Sequence, residues 1–125
     1  MEGSGMIRTG YIAQWNKLKE KYPAATFLRV CRPSILGPSK QLLFFVKKLE
    51  KETDSRMDAW VQSNYEERYR QEIMSNEKAL ELMKFIKRNY SGEDDIFLMC
   101  YEKDFPCHRF ILKDMIEKIG DDNIG

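Results

Sequence analysis

Five chemically capable side chains fall within one short stretch near the C-terminus: Cys100, Glu102, Cys107, His108 and Arg109, the histidine being the only one in the chain. A cysteine acts as a nucleophile in its thiolate form, and the unpaired N–H groups and dipole of a helix N-terminus lower a thiol pKa. Placed in the first turn of a helix, Cys107 would gain that effect, with His108 and Arg109 reinforcing it. Glu102 would then orient His108 or serve as a base, which is the donor set for nucleophilic or acid/base chemistry. The same placement suits a second use, in which Arg109 and Arg32 hold a phosphate or carboxylate at the helix start. Plainer roles fit the same residues. Cysteine is among the most buried residue types, so Cys31 and Cys100, on strand ends beside apolar neighbours, read as core before they read as nucleophiles. Glu102 and Arg109 read equally as an ion pair pinning the loop to the helix.

These residues need a strand, a turn and a helix to position them. Ile96 to Met99 is an apolar run after the turn-like Ser91-Gly92-Glu93-Asp94, and it predicts a buried strand. A helical pattern restarts near Pro106 with Asp104 as a candidate N-cap, and Phe110, Ile111, Met115, Ile116 and Ile119 recur at helical spacing. Upstream, Met6 to Ile12 predicts a first strand ending at Thr9-Gly10, and Thr26 to Val30 a second. Between them Trp15, Leu18 and Tyr22 mark a helix stopped by Pro23. Two turn signals follow, Cys31-Arg32-Pro33-Ser34 and Gly37-Pro38-Ser39-Lys40. Leu42, Leu43, Val46 and Leu49 then predict an amphipathic helix, ended by a break at Thr53-Asp54-Ser55. Trp60, Val61, Tyr65, Tyr69 and Ile73 predict one further helix at i,i+4 spacing. Ser75-Asn76 reads as a cap before a stripe of Ala79, Leu82, Met83 and Ile86.

The order β-α-β, helices, β-α argues for a parallel sheet. The expected fold is a small Rossmann-like three-layer α/β domain with a helical insertion between the second and third strands. Parallel strands place their ends on one edge, where ligands bind in open α/β sheets. Thr9, Tyr11, Arg32 and Cys100 would join Glu102 and Arg109 there as ligand-binding candidates. Tyr65 and Tyr69 belong either to the core or to a platform stacking on a ligand.

The chain's 125 residues fit one domain, expected over 6–120, with Met1-Glu2-Gly3-Ser4-Gly5 resembling an appended linker and 121–125 a tail. Its net charge of +1 argues against nucleic acid as a partner, since phosphate backbones select a strong basic excess. No apolar run reaches membrane-spanning length and no signal-peptide pattern opens the chain. Three cysteines without an export signal point to reduced thiols and a cytoplasmic setting. The expected partner is a small anionic ligand, and the expected assembly a monomer or homodimer. Cys100, Cys107, His108 and Cys31 are soft metal donors, but Cys-x6-Cys-His lacks paired knuckles. Adjacent helical residues also diverge by roughly 100°. No metal and no cofactor are therefore expected, and no P-loop, Gly-x-Gly-x-x-Gly or Gly-x-Ser-x-Gly motif is present.

Leu98-Met99-Cys100-Tyr101-Glu102-Lys103 followed by Cys107-His108-Arg109 resembles the signature of the bacterial proteins known as domain of unknown function 488. There a hydrophobic strand runs into Cys-x-Glu and a Cys-His-Arg triplet opens the last helix. Thr9-Gly10-Tyr11, Pro38-Ser39 with Leu42-Leu43, and the tyrosines at 65 and 69 are similar to further family features, so the resemblance spans Ile7 to Gly120. Longer members carry an acid after the second strand, where this chain has Arg29-Val30-Cys31-Arg32. The resemblance implies an α/β fold with a shared pocket and names no reaction. An accessory factor that binds another protein is a third reading, allowed by the small size and the many charges.

Overall fold

The computed structural model describes residues 7–32, 34–90, 95–101 and 107–119. Three strands, β1 (Ile7–Tyr11), β2 (Thr26–Arg29) and β3 (Ile96–Cys100), form a parallel sheet in the order β1-β3-β2. Ile7 and Thr26 both stand opposite Ile96, while Tyr11 stands opposite Cys100 and Arg29 opposite Met99. The three C-terminal strand ends therefore share one edge. Every residue of β3 is buried. A central parallel strand covered on both faces needs no polar alternation, which is why Ile-Phe-Leu-Met-Cys reads as an unbroken apolar run. Its side chains still alternate in direction. Ile96 and Leu98 join the main core, whereas Phe97 stacks on Phe27 at 5.0 Å and meets Tyr22 at 5.0 Å.

Among the described residues six helices accompany the sheet: α1 (Trp15–Lys21), reached through a 3-10 turn over Ile12–Gln14, α2 (Lys40–Thr53), α3 (Arg56–Gln62), α4 (Tyr65–Met74), α5 (Glu77–Tyr90) and α6 (His108–Lys118). Their starts are specified locally. The Ser39 hydroxyl accepts from the Leu42 amide at 3.0 Å, Ser55 from Asp58 at 3.1 Å, and the Asn76 carbonyl from Lys78 and Ala79 at 3.1 and 3.2 Å. α6 lies against β1 and β3 and also against α4 and α5. Its Ile111, Leu112, Met115 and Ile116 are core residues. Arg70 fastens α4 to α6, its guanidinium 2.8 Å from Glu66 and 3.0 Å from Asp114.

Two expectations are corrected. The single helix through Val61, Tyr65, Tyr69 and Ile73 is two helices, because Asn64 adopts the left-handed conformation at φ 55° and breaks the run. Asparagine is one of the few residues that tolerate this region. Val61 is consequently 68% exposed although it keeps the i,i+4 phase of the buried Tyr65, Tyr69 and Ile73. The final helix begins at His108, with Cys107 as an extended N-cap (φ −158°, ψ 145°), so Cys107 precedes the first turn. Asp104, Pro106 and the Ser91–Asp94 turn lie outside the described residues. Among the described residues no helix is long and apolar enough to cross a membrane.

Candidate functional site

The site begins where β2 leaves the sheet. The Val30 amide still donates to the Met99 carbonyl at 2.9 Å, and the chain then curls through Ser34 N to Cys31 O and Gly37 N to Ser34 O, both 2.9 Å. Gly37 sits on the backbone it has just left. A Cβ there would come within 3.0 Å of the Arg32 nitrogen and 3.2 Å of the Cys31 carbonyl carbon, so only glycine closes this loop without moving backbone. Two residues of α4 fix the loop from outside. The Tyr69 hydroxyl donates to the Leu36 carbonyl at 2.5 Å, and Glu72 accepts from the Ser39 amide at 2.9 Å and from its hydroxyl at 2.5 Å.

Against this loop stands the N-terminus of α6. His108 is 5% exposed, and its Nε2 lies 2.7 Å from the Val30 carbonyl oxygen. A carbonyl only accepts, so Nε2 donates to it, and in the neutral form of the ring Nδ1 then holds a lone pair. That lone pair faces the Cys107 sulfur at 3.8 Å. Cys31, Cys100 and Cys107 form one buried cluster, closed by Ile12 and Phe110, and none is in a disulfide. The Cys107 thiol pKa is pushed strongly upward, first by its hydrogen bond with Cys100 and then by burial; the Arg109 backbone amide and guanidinium pull it down and lose. Burial and Cys100 likewise raise Cys31. The expected lowering of the Cys107 pKa is thus reversed, because a neighbouring thiol and an apolar surround outweigh the helix N-terminus.

The expected divergence of Cys107 and His108 also fails. It assumed both on a helix, whereas the extended cap turns the Cys107 sulfur back toward its neighbour. One donor atom from each of Cys100, Cys107 and His108 falls within 4.8 Å of the others.

These residues border a cavity of about 290 Å³ between the strand ends and helices α2, α3 and α6. Its lining combines Cys31, Cys100, Cys107 and His108 with the apolar side chains of Trp60, Tyr65, Leu43 and Val46. Arg32, Arg56 and Glu50 are the Arg, Lys, Asp or Glu side chains of its lining among the described residues, Arg56 and Glu50 being 3.9 Å apart. Trp60 and Tyr65 stack at 4.0 Å, Tyr65 stands 6.2 Å from Tyr69, and Tyr69 5.4 Å from His108. The rings thus run in series from the cavity wall to the imidazole. A larger hollow of about 440 Å³ is bounded only by α4 and its cap, so it is a groove on one helix rather than a crevice.

A family model described as "Active DUF488-N3 subclade" matches residues 12–120. The chain belongs to the DUF488 family. No curated protein and no solved structure matches it.

In this DUF488 domain the motif residues have identifiable duties. In Pro38-Ser39-x-x-Leu42-Leu43, the serine caps α2 and engages Glu72, Leu42 enters the core, and Pro38 and Leu43 border the cavity. Of the expected site residues, Cys100, Cys107, His108, Arg32 and Tyr65 meet at the cavity. Tyr69 is fully buried behind them. Thr9 pairs with Leu98 and Tyr11 with Cys100 in the sheet, and neither lines the cavity. Arg109 is 2% exposed with its guanidinium 4.5 Å from the Phe110 ring, and it too is absent from the lining. Glu102 lies outside the described residues. Sequence reasoning missed Arg56 and Glu50, whose charges look like the wet side of a helix, and Trp60, whose spacing looks like core.

Proposed function

We propose that this DUF488 domain binds a small anionic ligand, of nucleotide or phosphate type, in the crevice at the C-terminal edge of its sheet. The observation that carries the reading is the lining: two arginines, one carboxylate and two aromatic rings in a cavity at the parallel strand ends. Guanidinium groups hold phosphate oxygens in a bidentate fork, and a Trp60–Tyr65 pair offers a flat apolar surface to a base or sugar. Arg32 and Arg56 would contact the anion, with Arg109 supporting the wall from inside.

The test is a thermal-shift series with inorganic phosphate, sugar phosphates and nucleotides, because a ligand that prefers the native state must stabilise it. A phosphate-bearing compound should raise the melting temperature at millimolar concentration. Arg32→Gln and Arg56→Gln should each weaken its binding about tenfold, or about 1.4 kcal/mol. If no anion shifts the melting temperature, the reading is lost.

Catalysis is the second reading, supported by the word "active" in the family description and by the Cys107–His108 contact. A strongly raised pKa makes Cys107 both a poor nucleophile and a weak acid at neutral pH, so in this reading it keeps its proton and donates a hydrogen bond to a ligand in the crevice. Glu102 would supply the base. Loss of turnover in Cys107→Ser with ligand affinity retained would support that role.

A further inference from the structure

The three donors beside the cavity raise a question that anion binding does not answer: why two thiols and an imidazole converge there. We infer that Cys100, Cys107 and His108 form a binding site for a soft divalent cation of the zinc type, with its fourth coordination position opening into the cavity. This inference stands independently of the anion reading.

The geometry carries it. Zinc holds sulfur at about 2.3 Å and nitrogen at about 2.0–2.1 Å, so donors around one tetrahedral ion stand roughly 3.5–3.8 Å apart. Cys107 Sγ and His108 Nδ1 are already at 3.8 Å, and all three donors lie within 4.8 Å. Closing on an ion requires movements of about 1 Å or less, within reach of small χ1 rotations.

The histidine is also prepared for this role. A metal-bound imidazole usually donates its other N–H to a carbonyl or carboxylate, which fixes the tautomer and aims the lone pair. His108 does so through Nε2 to Val30 at 2.7 Å, leaving Nδ1 toward the sulfurs. The Arg109 backbone amide favours a thiolate at Cys107, which offsets part of the burial that otherwise keeps it protonated. Arg109's guanidinium acts on Cys107, and Arg32 and Arg56 line the same cavity, but two thiolates in direct contact with the ion would outweigh these more distant charges in attracting it.

The donor types set the class of ion. Thiolate and imidazole select zinc-like ions over magnesium or calcium, which want oxygen. Two cysteines and one histidine with an open fourth position are the ligand set of a catalytic rather than a closed structural zinc. Here the cavity borders all three ligands, so the open position would receive water or an oxygen of a bound anion. Cys31 shares the cluster but not the three-donor group, and it is assigned no ligand role.

The test uses the full chain, reduced and stripped with chelator, and titrates it with Co²⁺ and then Zn²⁺ without any other ligand. A single equivalent of Co²⁺ should bind and produce thiolate-to-cobalt charge-transfer absorption with tetrahedral ligand-field bands, and Zn²⁺ should displace it. Binding should release protons, because both thiols must ionise. Cys100→Ser and Cys107→Ser should each lose most of the charge-transfer band, and Cys31→Ser should keep it. Should the serine variants misfold, X-ray absorption on the zinc-loaded wild type decides, with two sulfurs expected in the first shell. Failure to take up Co²⁺ or Zn²⁺, a first shell without sulfur, or a spectrum unchanged in both serine variants would each overturn the inference.

Discussion

His108 Nε2 donates to the Val30 carbonyl across 2.7 Å, tying the first residue of α6 to the residue that follows β2. The two are 78 positions apart in sequence, and the bond is buried. It sets the spacing between the loop after β2 and the helix start, which is the spacing that makes the cavity. Because the carbonyl has no water to fall back on, the bond matters most when it is removed.

His108→Phe keeps a planar ring of similar shape and leaves the Val30 carbonyl without its donor. A buried unsatisfied carbonyl costs about 1–3 kcal/mol, so the variant should fold with its unfolding free energy reduced by that amount, read as a lower urea midpoint. His108→Ala, which adds a hole beside Tyr69, should cost more. A His108→Phe variant as stable as the parent would mean the carbonyl finds another partner, and the bond would lose its structural role.

Tyr69 offers a cleaner version of the same experiment. Its hydroxyl donates to the Leu36 carbonyl at 2.5 Å with the side chain fully buried. Tyr69→Phe removes one oxygen and should cost about 1–3 kcal/mol. Amide exchange should also quicken at Leu36 and Gly37, since this bond holds the cavity loop from the α4 side. Unchanged exchange there would show that Gly37 packing alone closes the loop.

The legibility of this fold followed from how local its causes are. β3 could be read because burial on both faces leaves a continuous apolar run, α2 because Leu42, Leu43, Val46 and Leu49 keep helical spacing, and α5 because Asn76 caps it ahead of its apolar stripe. The break between α3 and α4 was hidden, because Val61 and Tyr65 keep helical phase across a left-handed Asn64. The turn from β2 into the cavity loop was legible only as turn composition. Its actual path depends on Tyr69 and Glu72, each 33 residues away. The cluster of candidate residues was legible as a place, since Cys100, Cys107 and His108 do meet. Their electrostatics were not, because the Cys107 pKa depends on Cys100 lying against it, and no spacing rule supplies that contact.

Ser39 should behave as a joint between α2 and α4. It caps α2 through Leu42 and binds the Glu72 carboxylate through both its amide and its hydroxyl. Ser39→Ala should lose about 1–2 kcal/mol, as for other N-caps. Glu72→Gln should lose less, since the amide-bond acceptor survives. A double-mutant cycle should give a coupling of about 0.5 kcal/mol or more, because the pair shares a hydrogen bond. Strict additivity would separate the cap from the carboxylate and remove Glu72 from the joint.

The last prediction uses the raised Cys107 pKa, and its sign follows from proton counting. In the folded chain the thiol, pressed against Cys100 and buried, stays protonated well above the ordinary value of 9.0. In the unfolded chain it ionises near that value. Below it both states hold the proton and the group contributes its full stability. As pH rises beyond it, the unfolded state binds fewer protons, so stability falls by up to about 1.4 kcal/mol per pH unit. Tyr69, whose pKa is also raised by burial, adds to the slope once pH passes 10.0. Urea midpoints measured between neutral pH and pH 10, in reducing and chelating buffer, should therefore drop on the alkaline side. Cys107→Ser, which cannot ionise in either state, should show a shallower drop just above pH 9. The thiol should also alkylate more slowly at neutral pH than a cysteine in an unfolded peptide, since both its burial and its protonation oppose attack. Fast alkylation of Cys107, or a parent and variant with the same alkaline slope, would mean the thiol is already ionised in the fold, and would return it to the role of nucleophile.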